Sequence, residues 1–451
     1  MTLNIIKLIS AAALLVLLSS CASEDAARDR QDNFGIRKFT MREGTFGKKA
    51  YLGLTNIQSS DSAFTVYASY RIRYDTFIFS REIDSAQTTF SASGEVTIEI
   101  LDSLHHTVVT RSIEKVHLTA GDNSASSLKK NFYQGISVFS LPKGKYIALM
   151  RIEDNSAAGK LPDIREPFIL EKKNNFLLSS LLWISNSPDS NRYHALNLGN
   201  DIFFSQPAQL CFAALEYLRS NSLTMTLYKK DAENETRNLL FRDSTLQASI
   251  IPSSIFLMKK NSSGIDVLPQ PHAGVDMYLL PLQTEKLAQG VYQLELTLRD
   301  SIRSSLLFST QWLDMPLSLT SLELSLEVLR YITTKEEFSE LNSGSRNNKI
   351  QRLNDFWKKK DPTPNTAYNE VMTEFYKRVD YAAETFITFN GENGALTDRG
   401  KIYILYGAPN SIKRLLTPNS YSREVWSYTK LDKTFTFEDH NKQGNYQLIA
   451  N

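Results

Sequence analysis

The chain has 451 residues, of which 42% are hydrophobic, and its 51 basic and 49 acidic side chains give a formal net charge of +2. A nucleic-acid-binding surface needs a clear excess of Lys and Arg, so this near-balance argues against a nucleic-acid partner. The length suggests two to four domains, and the 20 Tyr and 24 Phe are typical of β-rich proteins with substantial cores.

The first twenty residues have the composition of a secretory signal peptide. Lys7 precedes an apolar run over residues 8–18 that is too short to span a bilayer permanently. The run ends in Leu18-Ser19-Ser20-Cys21, which resembles the lipobox of bacterial lipoproteins. That resemblance implies that Cys21 is acylated and that the lipid bilayer is a partner of the mature protein. An ordinary signal peptide with a chance cysteine is the alternative.

Residues 21–45 are polar and charged, and they are predicted to form a lipid-anchored flexible tether. The acidic stretch Ser23-Glu24-Asp25 weakly resembles the export signal of some surface lipoproteins of Bacteroidota, and a generic acidic tether explains it equally well. The expected location is therefore the outer membrane, on the periplasmic face or at the cell surface. The second cysteine, Cys211, lies in an apolar run and is predicted to be a buried, unpaired thiol.

A repeated unit organises the middle of the chain. Residues 141–154 align without gaps on residues 287–300, and both copies contain Leu-x-x-Gly-x-Tyr followed by a strand-like run and Asp. In the second copy, apolar residues at 292–298 alternate with polar ones, which predicts a strand with one face in a core and one in water. The tyrosines, Tyr146 and Tyr292, are expected to tie a corner with their hydroxyl groups, as in immunoglobulin-like (Ig-like) sandwiches.

Further strand-like runs separated by turn residues surround each copy, which favours β-sandwiches. In the first unit they are residues 63–79, 94–101, 106–113 and 135–140; in the second they are 201–204, 208–217, 222–229 and 275–280. We therefore expect one β-sandwich at 46–174 and another at 175–315, with the boundary near residues 172–175.

The pattern changes to helical periodicity after Pro316. Residues 320–323 resemble a capping box before a first helix, a second helix should end before the prolines at 362 and 364, and Thr366 should cap a third. Strands are then predicted at 401–406, 424–428, 434–437 and 446–449. The expected fold is thus multidomain and mainly β: two Ig-like antiparallel β-sandwiches followed by a small α+β domain at 316–451.

The Gly-rich stretch at 390–409 raises the question of a phosphate site or a catalytic site. Five residues separate Gly394 from Gly400, where a P-loop has four, no hydroxyl residue follows Lys401, and a strand rather than a helix is expected next. A catalytic role would rest on Asp398 and Arg399, with Glu370 or Glu374 as further candidates. An Asp-Arg pair before a strand more often caps backbone donors and pairs with neighbours.

No hydrolase motif is present, and the six histidines are scattered, so neither a cofactor nor a metal site is predicted. The stretch is interpreted as two turns, with the polar trio Thr397, Asp398 and Arg399 tying the loop to the helix that carries Trp357 and Asp361.

Several motifs of this C-terminal region, over residues 318–449, resemble the GWxTD domain of Bacteroidota and related bacteria. The residues that carry the resemblance include Phe356, Trp357, Asp361, Pro362, Pro364, Gly394, Thr397, Asp398, Arg399, Gly400, Gly407, Pro409, Glu424 and Trp426. The motif's tryptophan is replaced here by Ala395, so a packing or stacking role of that ring is lost. The resemblance implies an architecture and an envelope location but no settled reaction.

Three functions remain open at the level of sequence. The first is a non-enzymatic envelope lipoprotein whose C-terminal domain docks onto a protein partner, in outer-membrane assembly or secretion. The second is a glycan-binding accessory lipoprotein, with Trp183 and Trp312 as candidates for stacking on a polysaccharide. The third is a hydrolase that uses Asp398 and Arg399.

Overall fold

In the computed structural model, the chain folds into two compact units. Of the described residues, the first unit holds those from 48 to Asp314 together with Thr363–Tyr368, and the second holds Met315–Pro362 and those from Asn369 onward. The residues that the structure describes are 48–83, 88–104, 106–121, 128, 131–156, 163–171, 177–186, 192–216, 218, 223–230, 236–243, 248–298, 302–416 and 420–450. The predicted signal peptide, the whole predicted tether with Cys21, and the boundary at 172–175 lie outside them.

The first eight strands form two antiparallel sheets around one core. They are β1 (Ala50–Gln58), β2 (Ala63–Arg73), β3 (Ser80–Ile83), β4 (Thr88–Asp102), β5 (Val108–Ala120), β6 (Phe132–Pro142), β7 (Gly144–Asp154) and β8 (Ile164–Leu170). One sheet has the order β1-β2-β6, and the other has β3-β4-β7-β8 with β5 also paired to β4. Val66, Ile98 and Met150, drawn from both sheets, share one buried cluster.

The next twelve strands form a second pair of sheets. They are β9 (Leu182–Asn186), β10 (Tyr193–Ala195), β11 (Ile202–Phe203), β12 (Ala208–Leu215), β13 (Leu223–Lys230), β14 (Arg237–Asp243), β15 (Ser249–Ile251), β16 (Ser254–Lys260), β17 (Ile265–Pro271), β18 (Val275–Leu282), β19 (Val291–Leu298) and β20 (Ile302–Gln311). The sheet orders are β15-β18-β12-β9-β10-β17-β16 and β11-β20-β19-β13-β14. Cys211 on β12 is a buried free thiol, as predicted, and burial raises its pKa.

Both repeat tyrosines close their corners as expected. The hydroxyl of Tyr146 donates to the Pro142 carbonyl at 3.1 Å, and that of Tyr292 donates to the Ala288 carbonyl at 2.6 Å. The four-residue span is identical in the two copies, so the aligned sequences produce the same local structure. The Ig-like topology itself stays a prediction.

The expected water-facing side of β19 is wrong. Glu295 and Thr297 are buried along with the apolar residues of the strand. Arg237 of β14 reaches across the sheet and binds the Glu295 carboxylate at 2.7 Å, and the Thr297 hydroxyl donates to the Thr224 carbonyl of β13 at 3.5 Å. The buried polar side chains of β19 are thus paired with other strands of the same sheet.

In the part of the second unit that the structure describes, there are five α-helices and a four-stranded sheet. The helices are α1 (Leu322–Glu327), α2 (Lys335–Leu341), α3 (Arg346–Lys358), α4 (Glu370–Thr385) and α5 (Asp398–Tyr406). The strands are β21 (Ser411–Leu415), β22 (Ser422–Tyr428), β23 (Lys433–Asp439) and β24 (Gln447–Ala450), in that order and antiparallel throughout. Helices followed by a sheet were predicted, and this order is confirmed.

Three local predictions in this unit are wrong. Residues 401–406 belong to a helix, α5, because Thr397 caps a helical turn there. Thr334 and Glu337 form a capping box at the start of α2. The side chain of Ser321, and not a capping box at residues 320–323, caps α1. The side chain of Asn369, rather than Thr366, caps α4.

Candidate functional site

In the motif loop, residues 391–397, backbone conformation favours glycine at one position and close packing excludes a side chain at another. Gly391 has φ +84°, a left-handed conformation that favours glycine. A Cβ on Gly394 would lie 2.2 Å from the carbonyl oxygen of Ala382 on α4. Ala395 is fully buried, and its carbonyl accepts a hydrogen bond from the Tyr331 hydroxyl at 3.1 Å. The loop thus packs directly on its own domain.

Helix α5 begins directly after this loop. The Thr397 hydroxyl accepts a hydrogen bond from the Gly400 amide at 3.1 Å and donates to the Gly394 carbonyl at 2.8 Å. The Lys401 amide donates to the Thr397 carbonyl. Gly407, with φ +77°, ends the helix nine residues later, and its carbonyl accepts from the buried Tyr428 hydroxyl. The stretch does turn the chain twice, with a helix between the turns.

Asp398 and Arg399 both reach toward the sheet. The Asp398 carboxylate accepts a hydrogen bond from the Leu448 amide on β24 at 2.9 Å. The Arg399 guanidinium donates to the Gly444 carbonyl at 2.9 Å and stacks over the Tyr446 ring, 4.2 Å from its centroid. The capping and pairing roles expected of an Asp-Arg pair are therefore confirmed.

A buried carboxylate, Glu424 on β22, is the partner of two arginines. Its side chain is 4% exposed, and it lies 3.4 Å from Arg399 Nη1 and 2.9 Å from Arg414 Nε. The indole Nε1 of Trp426 also donates to it, at 3.2 Å. Burial of a carboxylate is unfavourable unless it is paired and hydrogen-bonded, and here three donors meet that requirement.

Glu424 carries part of the family resemblance in the sequence, but it was not predicted to be a site residue. A signal for it was present, because Glu424, Trp426 and Tyr428 alternate on one face of the strand. A charged residue in register with two buried aromatic residues indicates a buried ion pair. Its arginine partners could not be identified from local sequence.

The remaining motif residues lie elsewhere in the domain. Trp357 on α3 is buried and donates from Nε1 to the Tyr376 hydroxyl at 3.2 Å, with Phe356 beside it at 5.2 Å between ring centroids. After the helix, Asp361 is half-buried, Pro362 and Pro364 are exposed, and Pro409 is half-buried after α5. The contacts described for the trio are with its own loop and with the sheet, and its predicted tie to the Trp357 helix stays a prediction.

The structure of the loop before α5 also bears on phosphate binding. A helix does follow the Gly-rich loop, so the expectation of a strand there, which was used against a P-loop, is wrong. The Gly400 amide is nevertheless engaged by Thr397, and a Cβ on Gly400 would lie 2.0 Å from the Gly394 carbonyl oxygen. The helix N-terminus is thus packed against its own loop, which leaves no cradle of open amides of the kind that P-loops use.

The other candidate residues are engaged or buried. Glu374 on α4 pairs with Arg378 at 2.7 Å on the surface, while Trp183 and Trp312 are 3% and 8% exposed. Neither indole therefore offers an open face to a sugar ring. Within the described residues, no group of three or more His, Cys, Asp or Glu is arranged to hold a metal ion, and no helix is long and apolar enough to cross a membrane.

Comparison with known protein families gives a match to the C-terminal part of the chain. No curated protein matches the chain. The family model of the GWxTD domain matches residues 298–451, which span the end of β19, β20, all five helices and the four-stranded sheet. The C-terminal third of the chain is therefore identified as a GWxTD domain.

Proposed function

We propose that the chain is a membrane-anchored lipoprotein of the cell envelope and that its GWxTD domain is a non-enzymatic protein-interaction module, acting in outer-membrane assembly or secretion. The anchor is inferred from the lipobox-like sequence at Cys21. The charged residues of the motif support the interaction role, since Asp398 and Arg399 are engaged in holding α5 to the sheet.

The observation that carries the proposal is exposed apolar surface on the GWxTD domain. Phe389 is 85% exposed and Leu416 is 78% exposed, and Ile387, Ile412 and Leu415 are each about half exposed. The backbone at Phe389 is held in place, because its amide donates to the Gln443 carbonyl at 2.9 Å. Large apolar side chains held on a surface favour contact with another protein.

The test is purification of the tagged, lipidated chain from detergent-solubilised native membranes, followed by mass spectrometry. We expect a stoichiometric envelope protein with the wild type and its loss with Leu416→Glu. Leu104→Glu is the matched control, because Leu104 is 77% exposed and lies in the other unit. Recovery of the chain alone, or equal recovery of the partner with both variants, would contradict the proposal.

A further inference from the structure

β21 is a free edge of the GWxTD sheet. It is the terminal strand in the order β21-β22-β23-β24, all five of its residues are exposed, and no strand among the described residues pairs with its outer side. The opposite edge differs, because Asp398 accepts the Leu448 amide of β24. An exposed edge presents unpaired backbone amide and carbonyl groups to a further strand.

The register with β22 sets what each face of β21 offers. Ile412 and Arg414 pair with Trp426 and Glu424, so they lie on the core-facing side of the sheet. Lys413 and Leu415 lie on the other side. Each face therefore presents one apolar and one basic side chain, and Ile412 and Leu415 are 50% and 47% exposed.

A strand that pairs with β21 would meet these side chains in the order apolar, basic, basic, apolar. The complementary strand has the order apolar, acidic, acidic, apolar, and because the order is symmetrical it fits both parallel and antiparallel pairing. Opposite charges on directly facing residues of paired strands stabilise the pair, and like charges destabilise it. Symmetric antiparallel pairing of two copies, centred on Lys413 or on Arg414, would place two identical basic side chains directly opposite each other, so charge disfavours self-association in these registers.

We propose that β21 binds an extended acidic segment of a partner protein, which adds to the sheet as a fifth strand. This inference rests on the proposed interaction function and specifies its docking site. Backbone hydrogen bonds would hold the segment. Lys413 would select one acidic side chain, and the outer part of the Arg414 guanidinium, whose Nε is held by Glu424 while the side chain stays 74% exposed, would select the adjacent one.

The first experiment uses the purified full chain and a fluorescent peptide Thr-Val-Glu-Glu-Val-Thr as the probe. We expect saturable binding in fluorescence anisotropy, at least tenfold weaker binding by Lys413→Glu, and no binding of the same peptide with two lysines in place of the glutamates. Lys430→Glu makes the same charge change away from the edge strand and should bind as the wild type does. Unchanged thermal midpoints would show that both variants are folded.

The second experiment tests the strand pairing itself. N-methylation of alternate peptide residues should abolish binding in one set, whose amides face β21, and leave binding intact in the other set. Equal effects of both sets would overturn strand addition, and equal binding by Lys413→Glu and Lys430→Glu would overturn the role of charge.

Failure of the peptide can be distinguished from failure of the proposed function. Absence of peptide binding overturns the assignment of β21, while recovery of a stoichiometric partner by the wild type still supports the interaction function. A homodimer that Lys413→Glu alters would also overturn the assignment, since it would show a second copy on this edge.

Discussion

Glu424 is the residue on which the motif side chains converge. Its carboxylate connects α5, through Arg399, to β21, through Arg414, and it also accepts the indole proton of Trp426. Arg399 is itself largely buried, with a side-chain exposure of 12%. A buried charge without its partner is strongly unfavourable. Separating α5 from the sheet would leave such a charge, so breaking the Arg399–Glu424 pair costs more free energy than the intact pair contributes on balance.

Glu424→Gln should therefore destabilise the GWxTD domain by about 3 kcal/mol, because it leaves the Arg399 guanidinium buried without a carboxylate. The measurement is the urea midpoint of the domain, followed by hydrogen exchange of the β22 amides. Glu374→Gln is the control, since the Glu374 side chain is 58% exposed in its ion pair with Arg378 and its loss should change stability by about 0.5 kcal/mol or less. Similar losses from the two substitutions would contradict the importance of the buried pair.

At the scale of elements, α5 shows where the sequence was insufficient. Ile402 and Ile404 are buried and Tyr403 between them is half-buried, which imitates the alternation of a strand. Tertiary packing favours the helical conformation of these residues, because the Tyr403 ring stacks on Tyr381 of α4 with ring centroids 4.3 Å apart. The local signal that could have identified it was Thr397 as an N-cap, with a glycine nine residues after the first helical position.

The strands that follow were predictable, because buried and half-buried residues alternate along most of β22 and in the middle of β23, which ends in three buried residues. β21 was missed because all five of its residues are exposed, so no hydrophobic face marks it. An edge strand is defined by its backbone pairing with a neighbour, and the β22 register that fixes it is a tertiary feature.

Gly400→Ala tests the close packing of the motif loop against α5. Alanine at an ordinary helix position should stabilise the protein by up to about 1 kcal/mol relative to glycine. Here the added Cβ would lie 2.0 Å from the Gly394 carbonyl oxygen, so we expect a clear loss of stability in urea denaturation. Gly391→Ala, which meets no atom within 4 Å but has a positive φ, should cost only about 1 kcal/mol. A stabilised Gly400→Ala variant would show that the loop yields easily.

At the scale of the larger unit, the two pairs of sheets share a third apolar cluster. Ile57 and Tyr67 of the first pair are buried together with Ile184 and Phe256 of the second. The sequence predicted each sandwich from strand spacing and turn residues, which are local signals. The shared cluster could not be predicted in this way, because it joins residues more than a hundred positions apart.

Burial of tyrosines throughout the molecule leads to a prediction about alkaline stability. Burial raises the pKa of both Tyr51 and Tyr292 to about 12, against about 10 in an unfolded chain. Between pH 10 and 12 the unfolded chain loses phenolic protons that the folded chain keeps, so stability falls as pH rises through this window. Each such tyrosine contributes a loss of about 1.4 kcal/mol per pH unit.

Urea midpoints between pH 8 and pH 11.5, with phenolate absorbance recorded alongside, measure this dependence. Tyr292→Phe should lower stability by about 1 kcal/mol at pH 8, because it removes the hydrogen bond to the Ala288 carbonyl, and it should also flatten the decline above pH 10. Tyr421→Phe, which removes a phenol from a side chain that is 47% exposed, is the matched control. A stability that stays constant up to pH 11.5 would mean that the buried phenols ionise without unfolding, and therefore that water reaches the corner tyrosine.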